Sequence, residues 1–196
     1  KEYYPAQYEE MKKFIESGRW HISGASWDAT DTLVPSIESA LRNIMLGQDY
    51  YRKEFGVEST DIFLPDCFGF GWTLPAIASH CGLIGFSSQK LQWRNKPFYG
   101  NDKYPFTVGL WQGIDGSTIM MTHGYDYNQR FEDGDLSENK DLLELTGHSP
   151  LHMVYRYYGT GDIGGSPTLE SVRAVEKGLQ GNGPLQIVSA TSDRIY

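Results

Sequence analysis

The sequence predicts an α/β domain with a parallel sheet, either open or closed into a distorted β/α barrel, and incomplete in this chain. Short continuous apolar runs, such as 62–64, are typical of strands buried on both faces. Segments with apolar residues at helical spacing alternate with these runs, and such alternation indicates βαβ units with parallel strands. No linker divides the 196 residues, so we expect residues 1–196 to form part of one domain.

The first sixty residues predict two helices. Apolar residues at helical spacing indicate a helix over 5–17, with Gly18 at its end. A short strand is expected at 20–22. Ser36 fits the N-cap of a long helix whose apolar face extends to Phe55.

The next segment predicts a βαβ unit, with a strand at 61–64, a helix over about 72–81 and a strand at 84–88. Asp66 follows the first strand and precedes a Gly-rich turn. Because ligands bind at the carboxyl ends of parallel strands, Asp66 is a candidate catalytic acid. An Asp at this place can instead hold a turn or cap the next helix.

The remaining pattern is less regular. Asp115 is read as part of a hairpin turn and is left out of the site. The other predicted elements are a polar loop at 96–105, a strand at 117–123, a surface insertion over 128–149 with one helical turn near 142–145, a strand at 152–157, a helix over 168–179 and a strand at 185–188.

Composition limits the partners. The net charge of −8 and the pI near 5.1 argue against nucleic acid or an anionic membrane surface, since both attract basic proteins. No stretch approaches eighteen consecutive apolar residues, so no membrane span is expected. Cys67 and Cys81 fit neither a zinc motif nor a disulfide framework, and both are read as buried thiols.

The chain begins at Lys1 without an initiator Met and stops soon after the apolar run at 185–188. We therefore expect it to be excised from a longer protein, and the rest of that parent chain is an expected partner. The compartment of the parent does not follow from this sequence.

A series of motifs covers nearly the whole chain in order. Leu-Pro-Asp-x-Phe-Gly at 64–69 is followed by a Pro-led helix and by Gly-Phe-x-x-Gln-Lys at 85–90. This arrangement resembles the nucleophile region of the glycoside hydrolase family 38 α-mannosidases, especially the bacterial and cytosolic-type branch. Further matching motifs are Gly-Arg-Trp at 18–20, Trp-x-x-x-Asp at 27–31, Pro-Ser-x-Glu-Ser at 35–39, Gly-Gln-x-Tyr at 47–50, Trp-x-Gly-Ile-Asp-Gly-Ser at 111–117 and Tyr-Gly-x-Gly-Asp-x-Gly-Gly-x-Pro-Thr at 158–168.

The resemblance implies retaining hydrolysis of α-mannosides through a covalent mannosyl-enzyme. It assigns Asp66 as the nucleophile and also as a ligand of a Zn²⁺ ion in the intact enzyme. The family's other zinc ligands, a His-x-Asp pair and a further His, fall before and after this chain, so the fragment is expected to lack a complete metal site and to be inactive alone. Phe68, within the same motif, is expected to contact substrate.

Retaining glycosidases need a second carboxylic group. The resemblance favours Asp162, which lies in a Gly-rich turn after a predicted strand. Here Ile163 and Ser166 occupy positions where the family often has Gly, which puts the loop geometry in question, and a purely structural turn is the alternative. A dinucleotide-binding reading of this turn fails, because no acidic residue ends a strand about twenty residues on.

Two further residues are assigned to substrate binding by resemblance. Asp31 matches the family's Asp four residues after a Trp, with a structural turn as the alternative. Lys90 ends the strand after the nucleophile helix, where it can donate a hydrogen bond to a sugar hydroxyl, although an exposed Lys is common on any surface.

Two functions therefore remain open. In the first, the parent is an α-mannosidase whose substrate is an α-mannoside or a mannose-containing glycan. In the second, the chain is a non-catalytic carbohydrate-binding or structural α/β domain in which Asp66 and Asp162 bind hydroxyls and aromatic rings stack on sugars.

Overall fold

The computed structural model describes residues 1–90, 107–123 and 128–196, so the polar loop predicted at 96–105 lies outside the described residues. Five α-helices and four strands occur in the described part of the chain. The helices are α1 (Pro5–Glu16), α2 (Ile37–Phe55), α3 (Leu74–His80), α4 (Lys140–His148) and α5 (Leu169–Gln180), and the strands are β1 (Asp61–Phe63), β2 (Gly85–Ser88), β3 (Val108–Gln112) and β4 (Thr118–His123).

The four strands form one sheet in the order β1-β2-β4-β3. β1 and β2 run parallel on either side of α3 in the chain, because the N–H groups of Ile84 and Gly85, at the start of β2, both donate to the carbonyl of Thr60, at the start of β1. β3 and β4 form an antiparallel hairpin closed by a 2.8 Å bond from the N–H of Gly113 to the carbonyl of Ser117. The predicted α/β class, with its βαβ unit, is confirmed.

The chain divides into two compact units. The first consists of Lys1–Phe86, Trp111–Ile119 and Thr191–Tyr196, and the second of Ser87–Leu110 and Met120–Ala190. The single domain over 1–196 stays a prediction. Within the described ranges no helix is both long and apolar enough to cross a membrane.

Two predicted helices, α2 and α5, are found with the caps that the sequence indicates. The Ser36 hydroxyl accepts a 3.2 Å hydrogen bond from the N–H of Ser39 at the start of α2, and Gly56 ends that helix with a φ of 68°. Thr168 caps α5 in the same way. These side chains satisfy backbone donors that the first helical turn leaves unpaired, which fixes where each helix begins.

The first unit buries the predicted strand and helix together. Ile62 and Leu64 of the β1 segment are 2% and 1% exposed, and Phe86 of β2 is fully buried.

Cys67 and Cys81 are both half-buried free thiols, so the prediction of buried thiols was too strong. Cys81 caps the end of α3 rather than lying within the helix.

The second unit corrects the prediction of a surface insertion at 128–149. Leu136 and Leu142 are buried and form a core cluster with Ala174 of α5. The single helical turn predicted near 142–145 is the nine-residue α4, whose first turn is capped by Asn139. The abundant acidic residues hid this core, because most of them are exposed and only two leucines of the segment, Leu136 and Leu142, are buried.

Three predicted strands are wrong. At 20–22, the chain turns back instead of pairing, because the N–H groups of Arg19 and Trp20 donate to the carbonyl at the end of α1. At 152–157, His152 takes a left-handed φ of 49° in a turn, and residues 153–157 join no strand ladder in the described part of the chain. At 185–188, Leu185 and Ile187 pack against the core cluster of the second unit without joining a strand ladder in the described residues.

Candidate active site

Asp66 lies in the turn that follows β1. Leu64, two residues before it, is almost completely buried, whereas Asp66 is exposed. The buried strand therefore ends in a carboxylate at the carboxyl edge of the sheet, as the sequence predicts. Ligand sites of parallel α/β folds occur at this edge.

A second segment lies alongside the Asp66 turn. The hydroxyl of Thr32 donates a 2.7 Å hydrogen bond to the carbonyl of Gly69, and the thiol of Cys67 donates a 3.0 Å hydrogen bond to the carbonyl of Thr30. The backbones also pack closely, because a Cβ placed on Gly71 would lie 3.3 Å from the carbonyl oxygen of Thr32. The segment 30–33 and the segment 66–71 are thus held together at several points.

Asp31 lies in the first of these segments. One of its carboxylate oxygens accepts hydrogen bonds of 2.7 Å from the N–H of Leu33 and 3.1 Å from the N–H of Val34. This is the local turn that the structural reading of Asp31 anticipated. The substrate-binding role of Asp31 stays a prediction.

The structure brings Asp31 and Asp66 together around Cys67. Burial raises the pKa of the Cys67 thiol, and the negative charges of Asp31 and Asp66 raise it further. Both carboxylates therefore lie close enough to the sulfur to disfavour a thiolate there. The thiol stays a protonated hydrogen-bond donor and is a poor nucleophile.

A small cavity lies beneath the Asp31 turn, between α2, β1 and α3. Its volume of about 30 Å³ is room for roughly one or two water molecules. A sugar ring does not fit there.

Aromatic residues fix the far end of the same turn. Phe70 points inward, with its ring 4.9 Å from that of Phe86 and 6.5 Å from that of Trp111. Its neighbours along the chain point outward, and Phe68 is 56% exposed while Trp72 is 79% exposed. Phe68 is accessible to a sugar, and its role in substrate binding stays a prediction.

A buried carboxylate supports the other end of β1. Asp61 is fully buried and accepts hydrogen bonds of 2.8 Å from the Ser23 hydroxyl, 2.9 Å from the Ser59 hydroxyl and 3.3 Å from the N–H of Gly24. The carbonyl of Asp61 also accepts a 2.8 Å bond from the N–H of Ala25. Asp61 therefore ties the segment 23–25 to the strand that carries Asp66.

Sequence reasoning missed Asp61, Thr32 and the bonding role of Cys67. One signal was available for Asp61, because an Asp next to Ile62 at the start of an apolar strand must find donors when it is buried. No local pattern indicates the partners of Thr32 and Cys67, since both bonds join residues 37 positions apart.

Asp162 belongs to the second unit, in an exposed loop. Its φ is 65°, and the N–H of Ile163 donates a 2.8 Å hydrogen bond to the carbonyl of Gly161, which makes a tight γ-turn centred on Asp162. This conformation is strained for a residue with a side chain, and such strain concentrates at functional sites. The loop is anchored by a 3.3 Å hydrogen bond from the N–H of Gly161 to the side-chain oxygen of Asn128.

Lys90 and Asp115 complete the predicted positions. The N–H of Lys90 donates a 3.1 Å hydrogen bond to the Ser88 hydroxyl at the end of β2, and its side chain is half-buried. Asp115 holds the β3–β4 hairpin through two hydrogen bonds from Ser117, which confirms the turn reading. Asp66, Asp31 and Phe68 share the first unit, whereas Lys90 and Asp162 belong to the second.

The described ranges contain no group of three His, Cys, Asp or Glu residues able to hold a metal ion. Zinc in proteins usually takes three or four protein ligands, and Asp66 with its neighbours supplies too few. The described residues therefore do not by themselves fit a complete zinc site.

A parallel βαβ unit, with an exposed carboxylate and exposed aromatic rings at the carboxyl edge of its strands, fits the class that the sequence predicts, a glycoside hydrolase catalytic domain. Comparison with known proteins supports this class directly. Residues 1–193 match the family described as "Glycosyl hydrolases family 38 N-terminal domain". The chain belongs to this family.

The relatives of the chain include α-mannosidases. Alpha-mannosidase G of Dictyostelium discoideum is 36% identical over 88% of the chain, and an alpha-mannosidase of Saccharomyces cerevisiae is 31% identical over 93% of it. The chain spans only 15% and 17% of the lengths of these two relatives.

Two solved structures share the fold. An α-mannosidase from Enterococcus faecalis V583 superposes on 99% of the chain and 22% of its own length, with a TM-score of 0.62 and 18% identity. A 4-α-glucanotransferase from Thermococcus litoralis superposes on 97% of the chain and 28% of its own length, with a TM-score of 0.62 and 15% identity. At these identities the likeness concerns the fold alone, a distorted barrel-like α/β glycosidase fold, and the predicted fold class is confirmed.

Proposed function

We propose that this chain carries the nucleophile of an α-mannosidase that hydrolyses its substrate with retention of configuration. The observation that carries the proposal is the exposed Asp66 carboxylate at the end of β1, in a turn that is fixed after Asp66 by the hydrogen bond of Thr32 to Gly69 and by the inward-facing Phe70. A nucleophile must be accessible to the sugar and held in place, and this turn provides both.

In the proposed reaction, a carboxylate oxygen of Asp66 bonds to the anomeric carbon while the glycosidic bond breaks. Asp162 gives its proton to the departing oxygen. In the second step Asp162 takes a proton from water, and this water displaces Asp66 from the anomeric carbon. The mechanism requires the two carboxyl groups to lie roughly 5 to 5.5 Å apart when substrate is bound.

The family assignment also implies a divalent ion, and we propose that Asp66 supplies one of its ligands in the intact enzyme. When bound, such an ion orients the sugar and stabilises charge. The remaining ligands would come from outside the described residues. The substrate class that fits this site is an α-mannoside or a mannose-containing glycan.

Labelling of the nucleophile in the intact enzyme tests the proposal. A 2-fluoro or 5-fluoro mannosyl inactivator accumulates the covalent intermediate, so it should label the peptide that contains residues 64–69. Asp66→Asn keeps the size of the side chain but removes its charge, and it should abolish labelling and lower turnover of an activated aryl mannoside by several orders of magnitude, roughly 10³-fold or more. A label on another carboxylate would move the nucleophile elsewhere.

Metal analysis tests the ligand role separately. Asp66→Asn should lower the zinc content of the dialysed intact enzyme, whereas Asp162→Asn should leave it unchanged. Mannoside binding without labelling or turnover would instead support the non-catalytic carbohydrate-binding function.

A further inference from the structure

The contacts between the segments 30–33 and 66–71 form a reciprocal pair. One side chain from each segment reaches the backbone of the other, Thr32 to the carbonyl of Gly69 and Cys67 to the carbonyl of Thr30. Asp66 is the residue before Cys67, which makes one bond, and lies three residues before Gly69, which accepts the other. The Asp66 turn is therefore joined to its neighbour at two points, both within the three residues that follow the carboxylate.

Further contacts involve the same two segments. The hydroxyl and thiol are half-buried, so their hydrogen bonds compete weakly with water. The Leu33 side chain covers Gly69 so closely that a Cβ there would lie 2.5 Å from its Cδ1 atom. The segment 30–33 is in turn fixed by the Asp31 turn, whose carboxylate holds the N–H groups of Leu33 and Val34.

We propose that Thr32 and Cys67 are positioning residues that hold the Asp66 carboxylate in line with the anomeric carbon. This inference rests on the proposed role of Asp66 as the nucleophile. Neither side chain touches the sugar in this scheme. Both act by preventing the Asp66 turn from moving away from the segment 30–33, and small displacements of a reacting group cost large factors in rate.

The test uses the intact enzyme and the rate at which a fluorinated mannosyl inactivator labels it. Thr32→Val keeps the shape of the side chain but removes the donor, and it should lower the maximal labelling rate roughly tenfold with little change in the concentration needed for half-maximal rate. Thr32→Ser keeps the hydroxyl and should restore most of the rate. A purely structural role does not predict this split, because general destabilisation does not slow the labelling step of the folded enzyme selectively.

Thr146→Val is the matched control. Thr146 also donates a 2.7 Å hydrogen bond from its hydroxyl to a backbone carbonyl, that of Leu142 within α4. Its loss should leave the labelling rate unchanged, since the bond is local to α4. Equal loss of labelling rate in both variants would show a general effect of destabilisation and would overturn the proposal.

Cys67 is tested by a double-mutant cycle. Cys67→Ala removes the second bond, and because both bonds hold the same two segments, the combined loss in Thr32→Val/Cys67→Ala should differ from the product of the single losses. Independent losses would mean that the two side chains do not act as a pair.

The outcomes also separate this inference from the proposed function. If the wild-type enzyme is labelled at 64–69 and Thr32→Val is labelled just as fast, Asp66 is the nucleophile and the positioning role fails. If the wild-type label falls on another peptide, the proposed function itself fails, whatever Thr32→Val does.

Discussion

Gly47, midway along α2, lies directly against the backbone of Ala25. A Cβ at Gly47 would be 2.1 Å from the carbonyl oxygen of Ala25 and 2.6 Å from the carbonyl carbon of Ser26. Asn43, one helical turn earlier, accepts a 3.0 Å hydrogen bond through its carbonyl from the N–H of Trp27. The helix α2 is thus the support for the segment that leads to Asp31.

Gly47→Ala should therefore destabilise the protein even though Ala favours helices. The obstacle is the backbone of residues 25–27, which cannot rotate away as a side chain can, so we expect a loss of about 2 to 3 kcal/mol in the free energy of unfolding. Gly147→Ala in α4 is the matched control, because a Cβ there meets nothing within 4 Å. It should stabilise by up to about 1 kcal/mol. Denaturant unfolding of both variants checks the opposite signs, and a neutral Gly47→Ala would contradict the contact.

The buried Asp61 makes a second prediction about stability. Asp61→Ala leaves the Ser23 and Ser59 hydroxyls and the N–H of Gly24 without their acceptor in a buried site. Buried groups left unpaired cost about 1 to 3 kcal/mol each, so we expect a total loss of at least about 2 kcal/mol in denaturant unfolding. Asp61→Asn keeps one acceptor oxygen and should lose less. Equal stability of Asp61→Ala and the wild type would show that the hydrogen bonds to the Asp61 carboxylate do not stabilise the fold.

The surroundings of Tyr8 predict that the stability of the protein depends on pH in alkaline solution. Burial raises the pKa of the Tyr8 phenol, and its hydrogen bonds with Tyr50 and with the Glu54 carboxylate raise it further. The folded state therefore favours the neutral phenol. The resulting stability is complete below the unfolded pKa of about 10 and is lost as the pH rises through the higher folded pKa.

Tyr8→Phe removes the pH-dependent contribution of the Tyr8 phenol to stability. Compared with the variant, the wild type should lose stability more steeply above a pH of about 10, as measured by denaturant unfolding at a series of pH values. The tyrosinate absorbance step near that pH should have the same amplitude in both proteins. A smaller step in Tyr8→Phe would show that Tyr8 ionises normally.

The sequence could predict the position of Asp66 because the evidence is local. An apolar strand, a proline and a Gly-rich turn follow one another within ten residues, and each restricts the backbone in a known way. The caps Ser36 and Thr168 are predictable for the same reason, since each bonds to a backbone group only three residues away.

The parts that escaped prediction depend on contacts distant in sequence. The run at 185–188 has the composition of a strand, but Leu185 and Ile187 pack on a helical core instead of pairing in a ladder. In the segment 128–149, Leu136 and Leu142 are buried because they pack with Ala174 of α5, a contact distant in sequence. Likewise, the hydrogen bonds of Thr32 and Cys67 form because two loops distant in sequence lie side by side. No periodic pattern in the sequence indicates this contact.

Asp162 makes the last prediction, and it tests the second carboxylate of the proposed mechanism. An acid that protonates the departing oxygen matters most when that oxygen leaves reluctantly. In the intact enzyme, Asp162→Ala should lower turnover of natural mannosides by about 10² to 10⁴-fold while largely sparing formation of the covalent intermediate from an activated aryl mannoside. Asp115→Ala, which alters an exposed turn carboxylate, should leave both reactions unchanged. Pre-steady-state release of the aryl group separates the two steps, and equal losses on both substrates would assign the acid to a residue other than Asp162.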